Sequence, residues 1–346
     1  MQEAKILKIV GVKFFSLKNP DVSYDSGDVL DMSSGSSTLA GHPCVHLARF
    51  YSSGTFYFSR ERDLTLNSQK RVSTRENEGP FSIWNNIDER FFWNRYPLKD
   101  LVRIQKLMPN FVDVHRLLVP VIQGFFEVRE VTVQGRSLKV ALISRLSCER
   151  VGTRFNTRGL DDDGSVANFV ETEQVCFNDE FCISFVQVRG SVPVFWEQKG
   201  IQVGAHKIDL SRGEVATKPA FRRHFERMSA YYNSCHIVNL LPDKGHGESV
   251  LSEIYRKLVG TSVNYTSFDL NAMCKGSNYE NLFYLLKDVN EDLQNYGFFH
   301  FHLKTKQVLQ QQKGIFRTNC VDCLDRSFPP CLLSLPCLLI FSGSTL

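Results

Sequence analysis

Apolar and polar positions alternate in short stretches over roughly the first hundred residues. Lys8–Phe15 alternates loosely, while Val45–Phe50 and Thr55–Ser59 have the branched and aromatic content of short strands. Gly, Ser and Asp residues punctuate these runs as turns, and the Ser/Gly-rich stretch Asp31–Thr38 predicts a flexible loop. Asp88–Leu101 (DERFFWNRYPLKDL) gathers aromatic residues ahead of Pro97 and is expected to dock a first module onto a second.

From about Leu117 the runs lengthen. Lys139–Ser144, Ile183–Arg189 and His236–Leu241 read as buried strands. Ser249–Val259 places Leu251, Ile254, Tyr255, Leu258 and Val259 on one helical face, and Glu280–Leu293 does the same with Leu282, Leu285, Leu286, Val289 and Leu293. Phe298–Leu303 alternates, Gln307–Gly314 reads as a polar turn, and Gly314–Arg317 as a strand. Strand, helix, helix, strand in that order predicts an α/β module.

Composition narrows the class. With 346 residues, of which 42% are hydrophobic, the chain can bury a large core and divide into two domains. A net charge of +4 is too small to mark a nucleic-acid or membrane surface, so any anion preference must be local. The 10 cysteines are sparse and irregularly spaced, which predicts a reducing, cytosolic setting over a disulfide framework. No secretory signal opens the chain. Phe328–Phe341 is nearly uncharged, but Pro329, Pro330 and Pro336 break it, and spanning a bilayer takes about 20 continuous apolar residues. A soluble chain is expected.

The densest chemistry lies in Lys313–Ser327, KGIFRTNCVDCLDRS. Five residues separate Cys320 from Arg326, a spacing that lets a loop curl round one phosphoryl group. Such a loop offers a thiolate nucleophile, backbone N–H groups for the non-bridging oxygens and a guanidinium that grips two of them. A strand before the loop and a helix after it would set a helix N-terminus against the anion. Asp322 or Asp325 can protonate the leaving oxygen while the other orients Arg326, with Asp322 the favoured acid. The Ser327 hydroxyl can assist breakdown of a cysteinyl-phosphate. The phosphate cradle is expected to include Asn319, Val321, Cys323, Leu324 and Ser327, flanked by Lys313, Arg317 and Arg189, with no metal or other cofactor.

The same residues admit other readings. Cys320 and Cys323 with His300 and His302 could form a zinc site, but the two histidines sit about 6–7 Å apart along one strand face, and no second CxxC exists. A redox CxxC is opposed by Asp322 and Asp325, and Cys323 taken alone is a small buried residue. Arg145, Arg150, Arg154 and Arg158 form either a local anion-attracting surface or a solvated face balanced by Asp161–Asp163 and Glu171–Glu173. Asp163-Gly164 is a turn pair. Phe195 and Trp196 read as core. Lys199, Lys207, Arg212, Arg222 and Arg223 could face an anionic membrane at about 1 kcal/mol each. The Asn264 sequon carries no weight in a chain without a secretory signal.

Taken together, LISRLSCERVGTRFNTRG, VANFVETEQ, RGSVPVFWEQKGIQVG, PAFRRHF and FRTNCVDCLDRS resemble the Sac-domain phosphoinositide phosphatases. RFFWN and GTFYFSRERDL extend a weaker likeness upstream, so that it covers about Lys5 to Ser327. The resemblance implies an α+β or α/β fold: a β-rich Sac-N subdomain over residues 1–115, incomplete at its start, packed on an α/β catalytic subdomain over 116–327. A Cys-x5-Arg phosphate loop would lie between a strand and a helix. Residues 328–346 form an apolar tail in place of the family's following helix. The resemblance further implies metal-independent removal of a monophosphate at ring position 3 or 4 from phosphatidylinositol 4-phosphate or 3-phosphate. By motif position Cys320 is the nucleophile, Arg326 the phosphate-binding arginine, and Asp322 and Asp325 the loop aspartates. A cytoplasmic enzyme peripheral at anionic membranes is expected, with no nucleic-acid partner. Two alternatives are a catalytically impaired module that binds phosphoinositides or proteins, and a protein tyrosine or dual-specificity phosphatase, which shares only the Cys-x5-Arg loop.

Overall fold

The computed structural model describes residues 5–15, 23–25, 43–74, 86–107, 119–133, 135–152, 157–199, 207–243, 247–261 and 263–319. The expected loop at 31–38 and the apolar tail at 328–346 lie outside them. In chain order the first part carries β1 (Leu7–Lys8), β2 (Lys13–Phe15), β3 (Ser23–Asp25), α1 (Pro43–Tyr51), β4 (Phe56–Phe58), α2 (Ser68–Thr74), α3 (Arg95–Leu107) and β5 (Val121–Val133). The chain divides into two compact units, one of Met1–Leu66 with Thr74–Phe126, the other of Asn67–Ser73 with Glu127–Leu346.

In the first unit β4 is flanked antiparallel by β1 and by the start of β5, with Tyr57 opposite Lys8 and Ile122. Val45–Phe50, expected as a strand, lies instead in α1. Pro43 stands at the first helical position, where a missing N–H costs nothing, and a short apolar run fits either period. Phe50, Tyr51, Phe56 and Trp93 form an edge-on aromatic cluster, with Phe50 and Phe56 ring centroids 4.9 Å apart. Asn94 anchors the entry to β5 by accepting from Val121 N and donating to Val119 O.

The second unit adds β6 (Arg136–Leu146), β7 (Val170–Phe177), β8 (Phe181–Arg189), β9 (Trp196–Lys199), β10 (Lys207–Leu210), α4 (Glu214–Tyr232), β11 (Ser234–Asn239), α5 (Ser249–Val259), β12 (Asn264–Ser267), α6 (Leu270–Met273), α7 (Leu282–Tyr296), β13 (Phe299–His302), β14 (Gln307–Gln310) and β15 (Gly314–Asn319). Strands β6, β7 and β8 run antiparallel; β8, β15, β11 and β12 follow as parallel neighbours. This is the mixed α/β architecture expected from the sequence. Helices α5 and α7 bury the expected apolar stripes, Leu251, Ile254, Tyr255 and Val259 in one and Leu282, Leu285, Val289 and Leu293 in the other. Phe316, Val238, Leu240 and Phe185 complete the core beneath α7. Gln307–Gly314, expected as a turn, begins with β14, because its backbone pairs with β13 although its side chains stay exposed.

Strand β8 serves two partners on one edge. Its first half pairs antiparallel with β13, ending at Ser184 opposite Phe299; its second half pairs parallel with β15, starting at Val188 opposite Arg317. Between them the backbone of Val186 has β7 on its other side but no described strand on this edge. The Gln312 carboxamide takes that place: its Oε1 accepts from Val186 N at 2.8 Å, and its Nε2 donates to Val186 O at 2.7 Å and Gly314 O at 2.9 Å. A primary amide carries the donor and acceptor of a peptide group, so one side chain closes the gap in the ladder. Gln69 on α2 does the same for the Gln312 backbone, accepting from its N and donating to its O.

Candidate functional site

The central strand β15 is buried along its whole length, and its sequence GIFRTN sets Ile315, Arg317 and Asn319 on one face with Phe316 and Thr318 on the other. Its neighbour β11 is followed by α5 and by β12 on the side away from β15. β15 is thus inserted out of chain order between β8 and β11. In open α/β sheets ligands bind outside the carboxyl ends of the parallel strands. The residues there are Asn239 and Asn319, opposite each other in register and both fully buried.

Asn319 Nδ2 donates to Asn239 Oδ1 at 2.6 Å, and Asn239 Nδ2 donates to Ser252 Oγ at 2.9 Å on α5. Leu240 N donates to Asn319 O and Phe268 N to Asn239 O, which ties the ends of β15, β11 and β12 together. Among the described residues the buried Asn319 Oδ1 has no partner. The expected nucleophile Cys320 is the next residue in the chain. Cys320 itself, with Val321, Asp322, Cys323, Leu324, Asp325, Arg326 and Ser327, lies outside the described residues.

Arg317 is fully buried beneath this edge. Its Nε donates to His224 Nε2 at 3.1 Å, Nη1 to Tyr255 Oη at 3.1 Å and Nη2 to Ser191 O at 2.8 Å. His224 reaches it because α4 buries Thr217, Ala220, Phe221, His224, Phe225 and Met228 as one stripe, and the His224 Nδ1 is 2.9 Å from Gly164 O. Burial and the Arg317 charge hold the His224 pKa well below the ordinary histidine value, so the ring is neutral, donating through Nδ1 and accepting through Nε2. Burial also raises the Tyr255 pKa and pushes the Cys235 thiol up to about 12, keeping both protonated. The sequence placed His224 only within a basic stretch; its position on an apolar stripe was the signal that it faces inward.

The other expected contacts are dispersed. Arg189 ends β8 with its neighbour Thr318 on β15, on the opposite face from Arg317, and Gly190 N donates to Thr318 O at 3.2 Å. Among the described residues the buried Arg189 Nε has no partner. Lys313 is exposed at the other end of β15, where its N donates to Tyr296 O. Six residues at ~3.3 Å each put it about 20 Å from Asn319, so it does not share the carboxyl edge. His300 and His302, weighed as zinc ligands, lie on β13 with the Phe181 ring packed 5.2 and 5.1 Å from theirs.

The described arginines around Ser147, Arg145, Arg150 and Arg158, turn inward to protein acceptors instead of forming a solvated or anion-attracting face. Arg145 is fully buried on β6, with Nη1 3.2 Å from Glu171 Oε1 and Nη2 2.8 Å from Glu173 Oε2 on β7. Tyr232 Oη donates to Glu171 Oε2 at 2.6 Å, and Ser68 N to Glu173 Oε1 at 2.7 Å. Burial raises the Glu173 pKa, but the charges of Arg145 and Arg71 and the Ser68 hydrogen bonds outweigh it, leaving the pKa below the ordinary value. Arg158 is buried and donates to Gln198, and Arg150 donates to the carbonyls of Arg158 and Gly159. Arg154 lies outside the described residues. Carboxylates placed two apart on a strand share one face, and opposite an arginine on the next strand they make an internal ion cluster. The Asp163-Gly164 turn is present, with Gly164 at φ +83°.

Comparison with known proteins adds the family context. The model of the SacI homology domain matches residues 1–275. Human synaptojanin-1 is 38% identical over 338 residues, covering 94% of this chain and 19% of that protein. The inositol-1,4,5-trisphosphate 5-phosphatase 1 of Schizosaccharomyces pombe is 34% identical over 93% of the chain and 31% of its own length. The polyphosphatidylinositol phosphatase of Saccharomyces cerevisiae is 33% identical over 92% and 30%. The chain thus spans between a fifth and a third of the length of these relatives.

Proposed function

This chain belongs to the SacI homology domain family, and on that premise we propose that it is a phosphoinositide phosphatase that removes the monophosphate at position 3 or 4 of a phosphatidylinositol phosphate. The observation that carries the proposal is the carboxyl end of β15. There the Asn319–Asn239 pair ties the ends of two neighbouring parallel strands, and the Cys-x5-Arg segment begins at the next residue. The names of the relatives, a polyphosphatidylinositol phosphatase among them, support the substrate class.

In the proposed reaction the Cys320 thiolate attacks phosphorus, an S–P bond forms and the bond from phosphorus to the ring oxygen breaks. Asp322 gives its proton to that oxygen, and Arg326, oriented by Asp325, holds two non-bridging oxygens. Water then attacks the phosphocysteine and gives a proton to the Asp322 carboxylate, the S–P bond breaks, and the Ser327 hydroxyl hydrogen-bonds the departing sulfur. Backbone N–H groups from Asn319 to Ser327 complete the cradle, and no metal takes part. The enzyme acts at the cytoplasmic surface of anionic membranes without inserting. Among the described residues no helix is long and apolar enough to cross one.

Phosphate release from short-chain phosphatidylinositol 4-phosphate and 3-phosphate tests this. Wild type is expected to release phosphate in the presence of EDTA and Cys320→Ser to lose all but a trace; equal rates for the two proteins refute the mechanism. Vesicle binding by both without release by either identifies a binding module instead.

A further inference from the structure

The outer strands β11 and β12 carry a second polar cluster, on the face of the sheet opposite Arg317. His236 is buried there, its ring centroid 5.5 Å from that of Phe316. Its Nδ1 lies 2.5 Å from Asp292 Oδ2 on α7, and its Nε2 lies 2.9 Å from Thr266 Oγ1 on β12. Asn264 Nδ2 donates to the same Asp292 oxygen at 2.8 Å and holds the carboxylate in line. Register brings these groups together: His236 pairs with Asn264 and Val238 with Thr266, so all four side chains share the face that α7 covers.

A carboxylate only accepts, so Asp292 takes the Nδ1–H of His236, and the Nε2 lone pair is left to accept from the Thr266 hydroxyl. Carboxylate, imidazole and hydroxyl stand in a row, the arrangement that turns an alcohol into a nucleophile. His224 shows the contrast, because its ring nitrogens meet a carbonyl and a guanidinium. Thr266 is half-buried on β12, the last strand in the sheet order among the described residues. Phe268 N donates to Asn239 O on β11, so alternation directs the N–H of Ser267 away from β11. That outward N–H follows Thr266 by one residue, where it is placed to hold an oxyanion. The charged group of the cluster is the Asp292 carboxylate, which repels an anionic phosphate ester and leaves a neutral carboxylic ester as the fitting electrophile.

We infer that Thr266 is a base-activated hydroxyl that accepts an acyl group from a neutral carboxylic ester, with His236 as the catalytic base and Asp292 as the positioning residue that fixes its tautomer. Nε2 takes the Thr266 proton as Oγ1 bonds to the carbonyl carbon. The bond from that carbon to the alkoxy oxygen then breaks, and the Nε2 proton passes to the departing oxygen. The products are O-acyl threonine and an alcohol, and no other reactant is needed. The step makes no use of Cys320.

Ser267 supplies an internal control. Its hydroxyl donates to the two Asp243 oxygens at 2.8 and 2.9 Å, a carboxylate with no imidazole between, and so a much weaker base. The full chain is treated with para-nitrophenyl acetate, and the tryptic peptide Leu258–Lys275, which holds both hydroxyls, is fragmented at successive times. Acetyl is expected on Thr266 about 100-fold faster than on Ser267. Asp292→Asn slows Thr266 by about 100-fold and leaves Ser267 unchanged, a selective effect that loss of packing alone would not give. Thr266→Ser restores acetylation at position 266. Cys320→Ser acetylates Thr266 as wild type does, so the phosphatase reading and this one fail separately. A wild type without acetyl on Thr266, equal rates at Thr266 and Ser267, an unchanged Thr266 rate in folded Asp292→Asn, or an inert folded Thr266→Ser overturns the inference. The wild-type comparison of the two hydroxyls needs no variant and decides the matter if Asp292→Asn does not fold.

Discussion

Replacing Gln312 with leucine tests whether one carboxamide joins the two halves of β8. Leucine keeps nearly the same volume, so the change removes polar bonds without opening a large cavity. Three buried hydrogen bonds of 2.7–2.9 Å disappear. The Val186 N–H is left without its acceptor, at about 1–3 kcal/mol, and two carbonyls each lose a donor at about 0.5–1.5 kcal/mol. Burial of the added methyl groups offsets about 1 kcal/mol, giving a net loss of about 1–5 kcal/mol. Domain stabilities run to about 5–15 kcal/mol, so the loss is easily read from urea unfolding followed by tryptophan fluorescence. Gln310→Leu, two residues earlier on an exposed strand, is the internal control and is expected to stay within about 0.5 kcal/mol. A Gln312→Leu loss below about 1 kcal/mol, or equal losses in the two variants, refutes the argument that this amide stands in for a peptide group.

Two further outcomes follow from the packing. Arg145→Met leaves Glu171 and Glu173 buried without their guanidinium and is expected to cost about 3–5 kcal/mol at neutral pH. In wild type the folded pKa of Glu173 lies below its ordinary value, so its contribution is present above about pH 4.5 and fades as pH falls through the folded pKa. The wild-type and Arg145→Met stabilities should therefore converge on acidification, as unfolding curves at stepped pH would show. Gly164→Ala places a Cβ 2.8 Å from His224 N at a φ of +83°, and is expected to cost at least about 1–3 kcal/mol by thermal unfolding.

Periodicity made β6, β8, β11, α5 and α7 legible, because each buries a full stripe or face. It failed at α1, where a short apolar run satisfies both periods and only Pro43 argues for a helix. It failed at β14, whose side chains are all exposed and whose pairing comes from β13 alone. Gln312 was hidden in a three-glutamine run, since nothing local reveals a gap in a distant ladder. The buried state of Arg145 was hidden for a similar reason: its carboxylates follow it by 26 and 28 residues and meet it only across a strand pair. Of the candidate site, the motif at Cys320–Ser327 was read from spacing and resemblance. The neutral surroundings of Arg317 needed the fold, because α4, α5 and the end of β8 supply one acceptor each.

The divided edge of β8 also separates what can drift from what must hold. The β13–β14 hairpin engages β8 only up to Ser184, whereas the strand that leads into Cys320 registers from Val188 onward. Lengthening the tip at 303–306 or changing its composition shifts a peripheral ribbon while the alignment of Arg317 and Asn319 stays put. That ribbon is thus the place where an insertion is expected to leave the end of β15 undisturbed, so long as Gln312 is kept.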